Sequence, residues 1–227
     1  MSPPPRAGSN GKEVAGMDAG TLKKIGFLYI PIPFLVAAMK VFANMLTRGE
    51  KIPAKLLTVI NFAGVILFNT PMALAPLVGQ PRFSRRWARA SHTMGAAYMV
   101  AGFSLAADAS LMRERIVGGD VPEELIQTGI YAYMRHPTYA GVILTGLGWS
   151  ILRSSPYALG AIPLQTLFFY LVARIEESEM LVPLFGMDYE QYRDRTPFFS
   201  WHVIPPMILA YLYGLLAWVS SRSRETR

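Results

Sequence analysis

The chain has 227 residues, of which 52% are hydrophobic and only 16% charged, against roughly 25% charged in an ordinary soluble domain. It has no cysteine, which excludes disulfides, iron–sulfur clusters, thiolate zinc sites and a cysteine nucleophile. The three histidines, His92, His136 and His202, form no HxxxH or HExxH pair, so no metal site is expected. The net charge of +7 comes from short basic groups beside apolar runs, such as Lys23–Lys24 and Arg85–Arg86. That is the usual flanking of membrane segments, and nucleic-acid binding is not expected.

Residues 1–22 are rich in Pro, Gly and Ser and lack a small-residue cleavage site; a disordered tail is expected rather than a signal peptide. Apolar runs at 25–46, 56–78 and 93–107 then predict membrane helices within an N-terminal membrane region, 23–110. A polar stretch, 108–137, follows and contains the turn signal VGGDVP. Runs at 139–152 and 157–173, separated by little more than RSSP, predict a tight helical hairpin at 139–173 inside a catalytic region, 111–205. A last run, 203–220, falls mostly in the C-terminal segment 206–227 with its basic tail and is long enough to span. The fold class predicted is all-α: a polytopic integral membrane protein with five or six transmembrane helices. A hairpin returns the chain to the face it left, so the RHPTY cluster at 135–139 and the stretch after Ala173 are expected on the same membrane face.

Those two stretches carry the polar chemistry. In TGIYAYMRHPTYAG (128–141), Gly129 is read as ending one element and Pro137 as suiting the first turn of the next helix. Arg135 and His136 then precede a helix start, where outward-pointing N–H groups favour an anion. Thr138, Tyr139 and Gly141 fall in the first turn, and Gly141 permits close approach of another group. The plainer reading is an interfacial belt of Tyr and Arg. In RIEESEMLVPLFGMDYEQY (174–192), a continuing α-helix puts Arg174, Glu177, Leu181 and Phe185 on one face, with Glu176 and Glu179 on another. Gly186 stops that helix, Asp188 is expected to cap a new one with Gln191 completing a capping box, and Tyr189 and Tyr192 extend the aromatic stripe. Here the plainer reading is glutamates solvating a helix end. Taken together, carboxylates suit ribose hydroxyls or a cation, aromatic faces suit a sulfonium or adenine, and arginine suits a carboxylate or phosphate.

The pattern GxYxxxRHPxYxG, followed by the predicted hairpin and then R…EE…L…FGxxYxxY…P, resembles the isoprenylcysteine carboxyl methyltransferase family, which looks related to the membrane phospholipid methyltransferases. The resemblance covers about 125–205. It implies an S-adenosylmethionine site in which Glu124, Leu125 and Ile126 line the cofactor, Tyr131, His136, Pro137, Thr138 and Tyr139 hold its adenosyl and methionyl parts, Glu177 binds it, and Arg174 faces the acceptor's carboxylate. Arg174 and Glu177 are then the candidate catalytic residues. The family pattern has two adjacent glutamates with Phe-Gly eight residues after the first. Counting back from Phe185 gives Glu177–Ser178, and counting forward from the arginine gives Ser178–Glu179; Glu177 is preferred because it shares a helix face with Arg174, with Glu179 in reserve. The function implied is methyl transfer to a lipophilic acceptor that enters from the membrane lipid, as in carboxyl O-methylation of an isoprenylcysteine-like substrate, with the site on the cytoplasmic face. A phospholipid N-methyltransferase or a small-thiol methyltransferase on the same fold is the alternative, and a non-catalytic transporter or assembly factor is the alternative of another class.

Overall fold

The structure is a computed structural model and describes residues 69–225 apart from 71, 78–79, 81 and 118–123. The expected tail, the expected span at 25–46, most of that at 56–78 and nearly all of the VGGDVP turn lie outside the described residues. All regular structure among the described residues is helical: α1 (Arg85–Val117), α2 (Pro137–Leu152), α3 (Pro156–Glu176), the single turn α4 (Val182–Phe185), α5 (Met187–Arg195) and α6 (Ile204–Glu225), with short 3-10 turns at Ala75–Leu77 and Gly129–Ala132.

Three stretches are long and apolar enough to cross a membrane, Arg85–Ile116, Pro156–Glu176 and Ile204–Ser221, and Pro137–Leu152 is a shorter apolar helix. The described residues therefore hold three of the five or six spans expected. The run at 93–107 proves to be the middle of a helix of 33 residues. Its apolar part ends near Asp108, but no glycine or proline follows until Gly118, so the helix carries on through the charged stretch. Large apolar side chains on three helices, among them Phe103, Leu167 and Leu209, stay more than half exposed, as suits a surface facing lipid.

Glycine decides how α1 and α2 pack. A Cβ on Gly102 would lie 2.5 Å from the Thr145 nitrogen, and one on Gly148 would lie 2.5 Å from the Met99 nitrogen. The two helices thus meet backbone to backbone, as small residues allow in membranes. The close approach expected at Gly141 is of this kind, with the Ala106 nitrogen 2.6 Å from where its Cβ would stand.

At the other end of α2, only Arg153–Ser155 separate it from α3, with Ser154 at φ 50° and the Ser155 hydroxyl capping Ala158 N–H at 3.2 Å. Gln80 and Arg82 clamp this turn. Gln80 Oε1 accepts from the Ser155 hydroxyl at 3.0 Å and Tyr157 N–H at 3.1 Å, and Arg82 donates to the Arg153 carbonyl at 2.6 Å and the Pro76 carbonyl at 2.7 Å. The core packs Ile143, Leu147 and Ile151 of α2 against Leu159, Phe168, Phe169 and Val172 of α3. With that turn clamped and the core packed, the start of α2 and the end of α3 come together at one end of the bundle.

Candidate active site

His136 is the residue before α2, with Pro137 at the helix start, where its fixed φ and missing N–H cost nothing. The preceding segment differs from the expectation: Gly129, at φ 58°, opens a 3-10 turn instead of ending an element. Met134 is buried beneath it, and the Tyr192 hydroxyl bonds the Tyr131 carbonyl at 2.7 Å.

The end of α3 also departs from the uniform helix the spacing predicts. Glu177–Leu181 form a π turn, a widened turn that often marks functional sites. Gly186 at φ 52° closes α4, and α5 begins at Met187. Asp188 therefore lies within the first turn of α5 and is not its cap.

The two stretches meet at Glu177. Its Oε1 accepts from Arg135 Nε and from His136 Nε2, each at 2.9 Å, and its Oε2 accepts from Arg174 Nη1 at 3.1 Å. The anion expected just before α2 is thus supplied by the chain itself. Arg135 also donates to the carbonyls of Arg193 at 2.9 Å and Thr196 at 2.6 Å, which ties the site to the end of α5. Glu177 is only 2% exposed. Burial pushes its carboxyl up, but the hydrogen bond from His136 and the Arg135 and His136 charges outweigh that and bring it from 4.5 down to about 2. Burial and the nearby Glu177 charge raise the Tyr189 hydroxyl well above the ordinary tyrosine range. That hydroxyl lies near Glu177 without reaching good hydrogen-bond geometry.

Aromatic rings line the cluster. Tyr139 stacks on His136 at 5.5 Å and on Phe169 at 5.1 Å between ring centres, and Phe198 tilts against the other side of His136 at 4.7 Å. The Tyr139 hydroxyl donates to Glu176 Oε2 at 2.8 Å.

Of the residues expected from sequence, His136, Tyr139, Arg174 and Glu177 come together. Pro137 is buried beside them and Thr138 half-buried, and the Tyr131 hydroxyl, which reaches the Ala109 carbonyl at 3.4 Å, feels Thr138 and Glu176. Glu124 is exposed and Leu125 and Ile126 half-buried in the irregular segment before Gly129; among the described residues no hydrogen bond or ion pair links them to the cluster. The side chain of Glu179, the reserve acid, lies outside the described residues. Three participants were missing from the expected set. Arg135 was visible in the RHP motif and was read with His136 as preceding a helix start that favours an anion, but it was not assigned a role in the site. Glu176 was placed on another face, and Phe198 belongs to a PFF segment with no periodic signal.

Residues 90–188 match the family model described as phospholipid methyltransferase. Proteins named protein-S-isoprenylcysteine O-methyltransferase match over a shorter stretch: that of Schizosaccharomyces pombe is 37% identical over 73 residues, covering 32% of this chain and 31% of the relative. The Homo sapiens protein is 32% identical over 74 residues, covering 32% and 26%. The chain is thus similar, over these stretches, to a phospholipid methyltransferase family model and to proteins named protein-S-isoprenylcysteine O-methyltransferase. The chain spans about a third or less of the length of these two relatives. The segment matched by the family model, 90–188, contains α2, α3 and the π turn.

Proposed function

We propose that this chain is an integral-membrane methyltransferase that uses S-adenosylmethionine to methylate the carboxylate of an isoprenylcysteine-like, lipophilic acceptor. The observation that carries the reading is the junction of His136, Tyr139, Arg174 and Glu177 at the end of an apolar helix long enough to span a membrane. The residues present fit the donor: stacked aromatic faces suit its sulfonium and adenine, and half-buried carboxylate suits its cationic end.

The donor supplies an electrophilic methyl group when bound. What this chain's residues supply is position, which is worth many kcal/mol when reacting atoms are held in line. Arg174, whose side chain is 52% exposed, remains open to solvent beyond its bond to Glu177 and is assigned to the acceptor carboxylate. A carboxylate is ionised at neutral pH, so this acceptor requires no general base. His136, Pro137, Thr138 and Tyr139, with Tyr131 and the segment Glu124, Leu125 and Ile126, are assigned to the donor, and the site is assigned to the cytoplasmic face.

A phospholipid N-methyltransferase is the second reading, favoured by the family-model match. An amine acceptor has to lose a proton, a task that would fall to His136 or a glutamate. Transfer from labelled S-adenosylmethionine to a prenylcysteine analogue, phosphatidylethanolamine and a small thiol separates the readings. Methylation of the prenylcysteine analogue alone is expected; methylation of only the amine or the thiol would replace the acceptor, and no donor binding would end the methyltransferase reading.

A further inference from the structure

We propose that the end of the bundle opposite the active site binds the headgroups of anionic phospholipids, through arginines that separate segments bring together. This surface requires only that the chain lie in a membrane, whatever reaction it performs. Arg85, Arg86 and Arg89 stand in the first turns of α1, Arg153 stands in the turn between α2 and α3, and all four are exposed. Arg82, exposed as well and three residues before α1, donates to the Arg153 carbonyl at 2.6 Å, which joins the two groups. The start of α1 is also joined to the end of α6: Ser84 N–H donates to Ser221 Oγ at 2.7 Å, and Arg222 and Arg224 follow in the last turn of α6.

No acid answers this charge. The sequence holds no Asp or Glu at 69–107, 137–175 or 196–224, and among the described residues Arg82, Arg85, Arg86, Arg89 and Arg153 form no ion pair. The site end is built the other way, with Arg135 and Arg174 both paired to Glu177. Rings set the depth of the basic end. The Arg86 guanidinium lies over the Trp87 ring, 5.1 Å from its centre, and that of Arg153 over Trp149 at 5.4 Å. Tryptophan and arginine together mark the boundary between hydrocarbon and headgroups. The 21 residues of α3 make it about 31 Å long, close to the hydrocarbon thickness of about 30 Å. The site at one end of α3 and the arginines at the other therefore fall in opposite headgroup layers. The anion available in such a layer is the lipid phosphate, which guanidinium groups take through paired hydrogen bonds. A zwitterionic lipid brings its own cation with the phosphate, so a surface without acids favours lipids of net negative charge.

The test is quenching of tryptophan fluorescence in the full chain, reconstituted in phosphatidylcholine bilayers that contain brominated phosphatidylglycerol, with brominated phosphatidylcholine as the reference. Trp87 and Trp149 report on the basic end. Wild type is expected to prefer phosphatidylglycerol by at least about fivefold, the scale of one arginine at an anionic surface, and high salt is expected to reduce the preference. Arg85→Gln with Arg89→Gln is expected to bring it toward one, with the melting temperature in phosphatidylcholine alone unchanged. Arg153→Gln, the second variant, is expected to lower it in the same direction. Arg113→Gln with Arg115→Gln, at the site end of α1, is expected to leave it as in wild type. Equal affinity of wild type for the two lipids overturns the proposal. So does a preference that survives both Arg85→Gln with Arg89→Gln and Arg153→Gln, or one that falls as far in the Arg113 and Arg115 control.

Discussion

Arg135 Nε and Glu177 Oε1 stand 2.9 Å apart although 42 positions separate them in the chain, and both side chains are largely buried. Through this contact the segment before α2, the π turn after α3 and the end of α5 share one guanidinium. Arg135→Ala removes a buried ion-pair partner and leaves the Arg193 and Thr196 carbonyls short of a donor, at an expected cost of about 3–5 kcal/mol. Thermal unfolding in detergent measures it. Arg135→Lys is expected to recover only a small part, because a single ammonium cannot reproduce the planar fork that reaches three oxygens.

Glu177 sets an acid limit. Its carboxyl is held at about 2 against an ordinary 4.5, so the folded state binds its proton more weakly than the unfolded state. The stability it contributes is fully present above about 4.5 and is lost as pH falls toward about 2. Melting temperature against pH should drop through that window in wild type and drop less in Glu177→Gln; parallel curves for the two would show that this carboxylate does not carry the acid sensitivity.

Two glycines in apolar helices should respond in opposite directions. At Gly102 a methyl would lie 2.5 Å from backbone of α2, whereas at Gly160 it would meet nothing within 4 Å. Gly102→Ala is expected to force α1 and α2 apart and destabilise by about 1–3 kcal/mol. Gly160→Ala is expected to stabilise by about 0.5–1 kcal/mol, the gain of alanine over glycine inside a helix. Unfolding midpoints of the two variants, measured side by side, settle the contrast.

The Tyr192 hydroxyl, bonded to the Tyr131 carbonyl at 2.7 Å, is one strut under the Gly129–Ala132 turn. Tyr192→Phe keeps the ring and deletes the bond, with an expected loss of about 1–2 kcal/mol. Proteolysis within 124–134 should become faster than in wild type, because the turn loses a fixed support.

Much of this site could be read from local chemistry. Pro137 and Gly186 impose backbone geometry wherever they stand, so the start of α2 and the end of α4 followed from residue type. Arg174 and Glu177, three apart, make the ion pair that helical spacing predicts. Spacing failed where it presumed a uniform helix: the π turn at Glu177–Leu181 has no marker in ESEML. It failed again for α1, whose length depends on the lack of a breaker and not on hydropathy. The position of Asp188 within α5, and the roles of Arg135 and Phe198, depend on how distant segments dock, which no local pattern encodes.

The π turn also bears on how this segment can vary among related chains. It takes one residue more than an α turn to cover nearly the same path. A chain lacking one residue between Glu177 and Val182 can close the gap by reverting to ordinary helix, with Phe185 and Gly186 left close to where they are. The interval between the acidic pair and the Phe-Gly step is therefore elastic by a single position.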